Sequence, residues 1–293
     1  MNKKINIKTI GFIGLGVMGM PMFKNLCSNK NLNVNGYDIN SLKLNEIKKL
    51  KLSFSSNIEN IFEISDLVIT CLPSGKDVEE VYFKNKMINL VKKNQIIIDM
   101  STSQPALMTK IENKIKNKGA YFVDAPIART RQAAIDGSLA IMVGCSKNIF
   151  KIIKPILSLI GNDILHCGEV GSGQFTKILN NMILFQNVLA LCEASKIAEN
   201  YNLNCEKLFQ NISKCSGNSF ALQNHGMKSI VNDHYPNPAF SVKYAQKDLS
   251  YALELAGNKK ISAPGCLNIN ELFKKAIEDG FGDLYFPVIK KVI

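Results

Sequence analysis

Along the first half of the chain, short runs of β-branched and aliphatic residues alternate with lysine-rich stretches of helical length. The runs at residues 9–13, 34–37, 67–71, 96–99, 121–123 and 139–143 read as strands. They hold few polar positions, so they are expected to be covered on both faces, with the intervening helices acting as crossovers in a mostly parallel sheet. After about Gly168 the texture changes. "QFTKILNNMILFQNVLALCEASKIAENYNL" is one long pattern of helical period, further helical segments follow to Ile293, and no strand-like run occurs among them. The glycines of "GEVGSG" therefore mark an expected boundary between an α/β domain, residues 1–168, and an all-helical domain, residues 169–293, linked by a long helix.

The first strand runs into "GLGVMG", which places Gly14, Gly16 and Gly19 as GxGxxG with Leu15, Val17 and Met18 between them. Between a strand and a helix this spacing provides a tight turn, a backbone that a pyrophosphate can approach, and close packing of helix on strand. The second strand ends in Asp38, at the distance where a carboxylate accepts hydrogen bonds from an adenosine ribose. A 2′-phosphate would be repelled there, so the pattern favours NAD over NADP. Two more strand ends lead to the same expected crevice: "ITCLPSG", with Leu72 and Pro73, and "IIIDMSTSQP", with Ser101 and Thr102. In the latter, Ser103 is read as a helix N-cap.

The long helical pattern carries Lys177 with Asn180 and Asn181 three and four residues on, neighbouring positions of one face. A polar patch on so apolar a helix belongs either to solvent or to a wet cleft. A partly buried lysine is suited to exchanging a proton with a substrate oxygen.

Composition narrows the classes. Lysine and arginine exceed aspartate and glutamate by 36 to 24, a net charge of +12. The lysines are scattered among Asn and Ile without an aromatic-flanked basic stripe, so no nucleic-acid partner is expected, although a basic surface attracts anionic substrates. No apolar run approaches the roughly 20 residues of a membrane span. The eight cysteines form no CxxC pair, which points to a reducing compartment and no structural metal. The expectation is a soluble cytoplasmic protein without membrane partners.

Taken in order and spacing, "GFIGLGVMGMPM", "IDMST", "VDAPI", "GSGQFTKILNN" and "AFSVKYAQKDLSYAL" resemble the β-hydroxyacid dehydrogenase family, which includes 3-hydroxyisobutyrate dehydrogenase and 2-hydroxy-3-oxopropionate (tartronate semialdehyde) reductase. The resemblance extends from near Ile10 to Asp283. It implies a Rossmann domain followed by an all-helical domain with the active site between them, and NAD-linked interconversion of a small acidic 3-hydroxy compound and its semialdehyde. It further implies that Gly14, Leu15, Gly16, Val17, Met18 and Gly19 form the cofactor turn, and that Asp38, Leu72, Pro73 and Thr102 contact the adenosine and nicotinamide portions. Lys247 would reach the cofactor, Lys177 would be the catalytic acid and base, and Asn180 and Asn181 would bind substrate. Family members commonly form homo-oligomers, dimers or tetramers, and the same is expected here.

One segment departs from the family pattern. Where members usually read DAPVSGG, this chain reads "DAPIART", with Ala128, Arg129 and Thr130. A guanidinium at that place suits a carboxylate, sulfonate or phosphate, so Arg129 and Thr130 are expected to bind substrate, while Arg131 is read as a surface or ion-pair residue. A similar segment occurs in the sulfolactaldehyde reductase branch, which makes a sulfonate-aldehyde reductase the alternative, although Leu184 stands where that branch carries a serine. An alternative of another class is a non-catalytic NAD(H)-binding sensor or scaffold. Retention of Lys177, Asn181 and Lys247 argues against it.

Overall fold

The computed structural model describes residues 5–293. The basic start of the chain, residues 1–4, lies outside them. The protein divides into two compact units, one ending at Lys177 and the other covering Ile178–Ile293.

The first unit is built on eight strands: β1 (Thr9–Ile13), β2 (Asn33–Tyr37), β3 (Leu67–Thr70), β4 (Ile96–Asp99), β5 (Tyr121–Asp124), β6 (Ile127–Ala128), β7 (Leu139–Gly144) and β8 (Gly161–Gly168). They run in the order β2-β1-β3-β4-β5-β7-β6, with β8 also paired to β7. The helices are α1 (Gly19–Cys27), α2 (Ser41–Lys49), α3 (Ile58–Ile64), α4 (Gly75–Glu79), α5 (Pro105–Lys116), α6 (Arg131–Ile135), α7 (Lys147–Leu157) and the start of α8 (Ser172–Asn200).

Alternate residues of each central strand enter different cores. Ile10, Phe12, Ile69, Ile98 and Val123 pack with Phe23 and Leu26 of α1 and Ile153 of α7. Ile13, Val68, Ile97 and Phe122 pack with Phe62 of α3 and Met108 and Ile111 of α5. Both faces are buried, which is why these strands read as unbroken apolar runs.

The sheet is parallel from β2 through β5, then changes direction: β7 is antiparallel to both β5 and β6. The β5–β6 link is two residues and the β6–β7 link holds only the short α6, too little chain for a parallel crossover of a dozen or more residues. The link from β7 to β8 contains the 11-residue α7, and that pair is parallel. Strands β6 and β8 were not anticipated. The former has two residues, and the latter, "GNDILHCG", has a single buried residue and lacks an apolar run. Ser103 does not cap α5. Pro105 occupies the first turn, Gln104 is the N-cap, and the Ser103 hydroxyl is buried 3.8 Å from Met108 Sδ.

The second unit is helical, and among the described residues no strand follows β8. It comprises the rest of α8, then α9 (Cys205–Ile212), a π-helix at Leu222–Ile230, α10 (Val242–Asn258), α11 (Pro264–Glu278) and a closing 3-10 turn at Phe286–Val292. Its core is aromatic: Phe185 of α8 meets Phe273 and Phe286 edge-on at 5.5 and 5.2 Å. Each such buried ring contributes about 2–3 kcal/mol. By length and composition α8, at 29 residues, does pass the test for a membrane span. Its Ile178, Phe185, Val188 and Cys192 are nevertheless buried in protein, and it carries Gln174, Lys177, Asn180 and Asn181.

Candidate active site

The turn after β1 shows why its glycines differ. Gly14 lies at φ +94°, its N–H donates to the Tyr37 carbonyl at 2.9 Å, and an added Cβ would collide with the Cys71 carbonyl. A Cβ on Gly19 would strike the Gly14 carbonyl. Both are required by the turn itself. At Gly16 a Cβ would meet no protein atom within 4 Å. Open space above an unsubstituted backbone, at the start of a helix whose N-cap Met18 makes no side-chain cap bond, fits a pyrophosphate. Leu15 is buried in the sheet core, while Val17 is exposed and Met18 half-buried.

Asp38, just beyond β2, accepts from the Leu15 N–H at 2.6 Å and the Asn40 N–H at 2.8 Å. Each carboxylate oxygen keeps a lone pair for a ribose hydroxyl. The next residue, Ile39, is 92% exposed and carries no charge. The nearby cations Lys24 and Lys43 both pair with Glu46, at 3.3 and 3.6 Å.

At the ends of β3 and β4 a buried polar cluster holds two loops together. Asp99 Oδ1 accepts from the hydroxyls of Thr70 and Ser101, each at 2.7 Å, and Ser101 Oγ accepts from the Leu72 N–H at 2.9 Å. Asp99 Oδ2 is buried without a hydrogen-bond partner among the described residues. Burial pushes the Asp99 carboxyl up to about 6 against the opposing pull of those hydroxyls. Thr102 and Leu72 are half-buried and Pro73 is exposed.

The start of α8 is anchored to the same region. Asp124, the last residue of β5, accepts from the N–H groups of Gly171 at 2.7 Å and Gln174 at 2.8 Å. Burial raises its pKa to about 7 in spite of these bonds. The Gln174 side chain reaches the loop after β4, taking the Ser103 N–H at 3.0 Å and donating to the Ser101 carbonyl at 2.8 Å. Lys177, half-buried, follows one turn later.

In the second unit, exposed Asn180 donates to Asn181 Oδ1 at 3.2 Å, and buried Asn181 donates to Asp248 Oδ2 at 2.7 Å. Asp248, on α10, is buried and its Oδ1 pairs with Lys247 Nζ at 2.9 Å. Asp248 thus joins Asn181 to Lys247. Sequence reasoning missed Asp99, Asp124, Gln174 and Asp248 as members of these clusters. The available signal was an acid ending an apolar run, in "IIID" and "FVD", and the acid beside Lys247 in "QKDL".

The departing segment has its own geometry. Arg129 sits at φ +86°, where glycine is at ease and an L side chain is strained by roughly 1–2 kcal/mol. Its guanidinium forms an ion pair with Asp163 and donates to the Ser138 carbonyl at 2.6 Å. Thr130 is the N-cap of α6, its hydroxyl accepting from the Ala133 N–H at 3.4 Å, and Arg131 is exposed at the start of that helix.

Comparison with known proteins agrees with this architecture. A family profile described as the NAD binding domain of 6-phosphogluconate dehydrogenase matches residues 9–168, and one described as "NAD-binding of NADP-dependent 3-hydroxyisobutyrate dehydrogenase" matches residues 171–291. The 2-(hydroxymethyl)glutarate dehydrogenase of Eubacterium barkeri is 32% identical over 100% of this chain and 96% of its own. The mitochondrial 3-hydroxyisobutyrate dehydrogenase of Rattus norvegicus is 33% identical over 86% of this chain and 76% of its own. Among solved structures, Mycobacterium tuberculosis 3-hydroxyisobutyrate dehydrogenase with L-serine superimposes with a TM-score of 0.89 at 27% identity, covering 98% of this chain and 99% of that one. The chain is an oxidoreductase with a Rossmann-type domain followed by a helical domain, and it belongs to the β-hydroxyacid dehydrogenase family.

Proposed function

We propose that the protein is an NAD-dependent dehydrogenase or reductase of a small acid of the form HOCH2–CH(R)–COO⁻ and its semialdehyde, with Lys177 as general base in oxidation and general acid in reduction. The observation that carries this reading is the mooring of Lys177. It lies one turn beyond Gln174, on a helix whose start is bonded to Asp124 and to the loop holding Thr102. The compounds in the relatives' names support the substrate form, since 3-hydroxyisobutyrate, 2-(hydroxymethyl)glutarate and L-serine all carry a primary alcohol β to a carboxylate.

The turn from Gly14 to Gly19, with Asp38, Leu72, Pro73 and Thr102, would hold a nicotinamide dinucleotide, which would supply a hydride acceptor or donor, and Lys247 of the second unit matches the cofactor lysine that the family resemblance implies. The chain's own groups do the rest. Lys177 takes the hydroxyl proton or returns it. Asn180 and Asn181 orient the substrate, with Asp248 fixing the amide of Asn181. NAD is favoured over NADP because Asp38 would oppose a 2′-phosphate, Ile39 offers no cation, and Lys24 and Lys43 already face Glu46. Phe175, Leu179, Ile183 and Ile197, exposed along α8, support a homo-oligomer.

For Arg129 the pairing with Asp163 and Ser138 supports an anchor of its own segment, whereas service as a substrate ligand would require the guanidinium to leave Asp163. The deciding experiment is NAD(H)-linked turnover of 3-hydroxyisobutyrate, L-serine, tartronate semialdehyde and sulfolactaldehyde by wild type, Lys177→Ala and Arg129→Ala. Lys177→Ala should lower kcat by about 10²–10⁴-fold while NADH still binds. Full activity in that variant would remove Lys177 from the chemistry. A sulfonate preference that disappears in Arg129→Ala would select the sulfonate-aldehyde reductase instead. NADH binding without turnover of any compound would favour the sensor.

A further inference from the structure

Gln174 is fully buried, and both ends of its amide are used outside its own helix. Its Oε1 accepts from the Ser103 N–H at 3.0 Å, and its Nε2 donates to the Ser101 carbonyl at 2.8 Å and lies 3.9 Å from Met108 Sδ. The two short bonds bracket Thr102, one to the carbonyl before it and one to the N–H after it. From the other side the same loop is held by Ser101 Oγ, which joins Asp99 to the Leu72 N–H. The Gln174 N–H is in turn bound by Asp124 Oδ2 at 2.8 Å.

An amide is an unfavourable choice for filling buried space, because any unmade bond leaves a desolvated polar group. An aliphatic side chain of similar size would fill the space but leave the buried Ser103 N–H and Ser101 carbonyl unpaired. The advantage of glutamine is that one planar group accepts from one peptide and donates to the next, which fixes both the distance and the rotation of the Thr102 loop relative to α8. Glutamate would only accept, and asparagine is one methylene shorter.

We infer that Gln174 is a positioning residue that sets the register between the Thr102 loop and Lys177, and so between the reactive end of a bound nicotinamide and the proton-transferring amine. The inference rests on the roles of Thr102 and Lys177 proposed above. Gln174 itself touches no reacting atom. It acts because Thr102 and Lys177 hang from the two elements that it ties together, and a misplacement of about 1 Å between reacting groups lowers a rate about 100-fold.

The test uses the full chain and Gln174→Met, which keeps the volume and removes both bonds. NADH affinity is read by fluorescence titration. The position of Lys177 is read, without any turnover, from the rate at which an amine-acylating reagent labels it with and without NADH, followed by peptide mass spectrometry. In wild type, bound NADH should slow labelling of Lys177. In Gln174→Met this protection should largely vanish although NADH affinity stays within about 3-fold, and kcat for 3-hydroxyisobutyrate should fall about 100-fold with little change in KM. A residue that merely supports folding would lower the melting temperature without separating NADH binding from Lys177 protection. Equal protection in folded wild type and variant would overturn the inference. Absence of protection in wild type would instead remove Lys177 from the cofactor site, and the inference with it. If Gln174→Met does not fold, Gln174→Glu, which retains the shape and the Ser103 bond, takes its place in the same comparison.

Discussion

The glycines of the turn after β1 separate two reasons for a missing side chain. At Gly14 and Gly19 the protein's own carbonyls occupy the space that a Cβ needs, whereas at Gly16 no protein atom does. Gly19→Ala should therefore destabilise the fold, by about 1–3 kcal/mol as for other overpacked sites. Gly16→Ala should melt like wild type but bind NADH weakly, because the intruding methyl faces the space assigned to the pyrophosphate. Paired melting curves and fluorescence titrations check this, and unchanged NADH affinity in Gly16→Ala would move the pyrophosphate elsewhere. The glycine spacing was legible in the sequence. Which glycines the fold itself requires and which one faces open space depended on the positions of Cys71 and of the Gly14 carbonyl. Arg129 shows the same limit: its type suggested an anion ligand, but its partner, Asp163, lies 34 residues away on β8.

Among elements, the apolar runs fixed the central strands because both faces of β1, β3 and β4 are buried, so no alternation interrupts them. The edge beyond β5 was not legible, since β6 is two residues long and β8 is half polar. The acids that end β4 and β5 have a consequence for stability. Burial raises the Asp99 carboxyl from 3.8 to about 6, so the folded chain holds its proton over a range where the unfolded chain has lost it. That contribution is fully present below 3.8 and is lost as the pH rises through about 6. Asp99→Asn lacks the titration yet can still accept from Thr70 and Ser101. Relative to this variant, wild type should lose about 2–3 kcal/mol of stability between about pH 4 and pH 8. Urea unfolding of both proteins across that range measures the difference, and parallel pH curves would show that Asp99 does not change its proton affinity on folding.

At the scale of the whole molecule, each unit has its own apolar core, one pair around the sheet and one centred on Phe185, Phe273 and Phe286. A ligand that binds only the folded chain adds stability by mass action, about 2.7 kcal/mol at 100 times its dissociation constant. NADH should accordingly raise the melting temperature by several degrees, and NADPH at equal concentration by less, because Asp38 and Ile39 provide repulsion and no cation. Equal shifts in differential scanning fluorimetry would show that these residues do not select the cofactor. The net charge of +12 acts at this scale too, as a diffuse attraction for anions.

The sequence by itself determined the α/β-then-helical order, the glycine turn between β1 and α1, and the grouping of Lys177, Asn180 and Asn181 on one helix face. Each of these is written in local spacing, a period of two or 3.6 residues or a fixed glycine interval. Only the tertiary structure decided that the sheet edge turns antiparallel, that Arg129 faces Asp163, that Asp248 joins Asn181 to Lys247, and that Gln174 grips the loop around Thr102. Apart from the adjacent Lys247 and Asp248, those partners lie 34 to 73 residues apart. Periodicity states that a position is buried, but which polar group meets it there depends on how distant segments pack, and no local pattern encodes that.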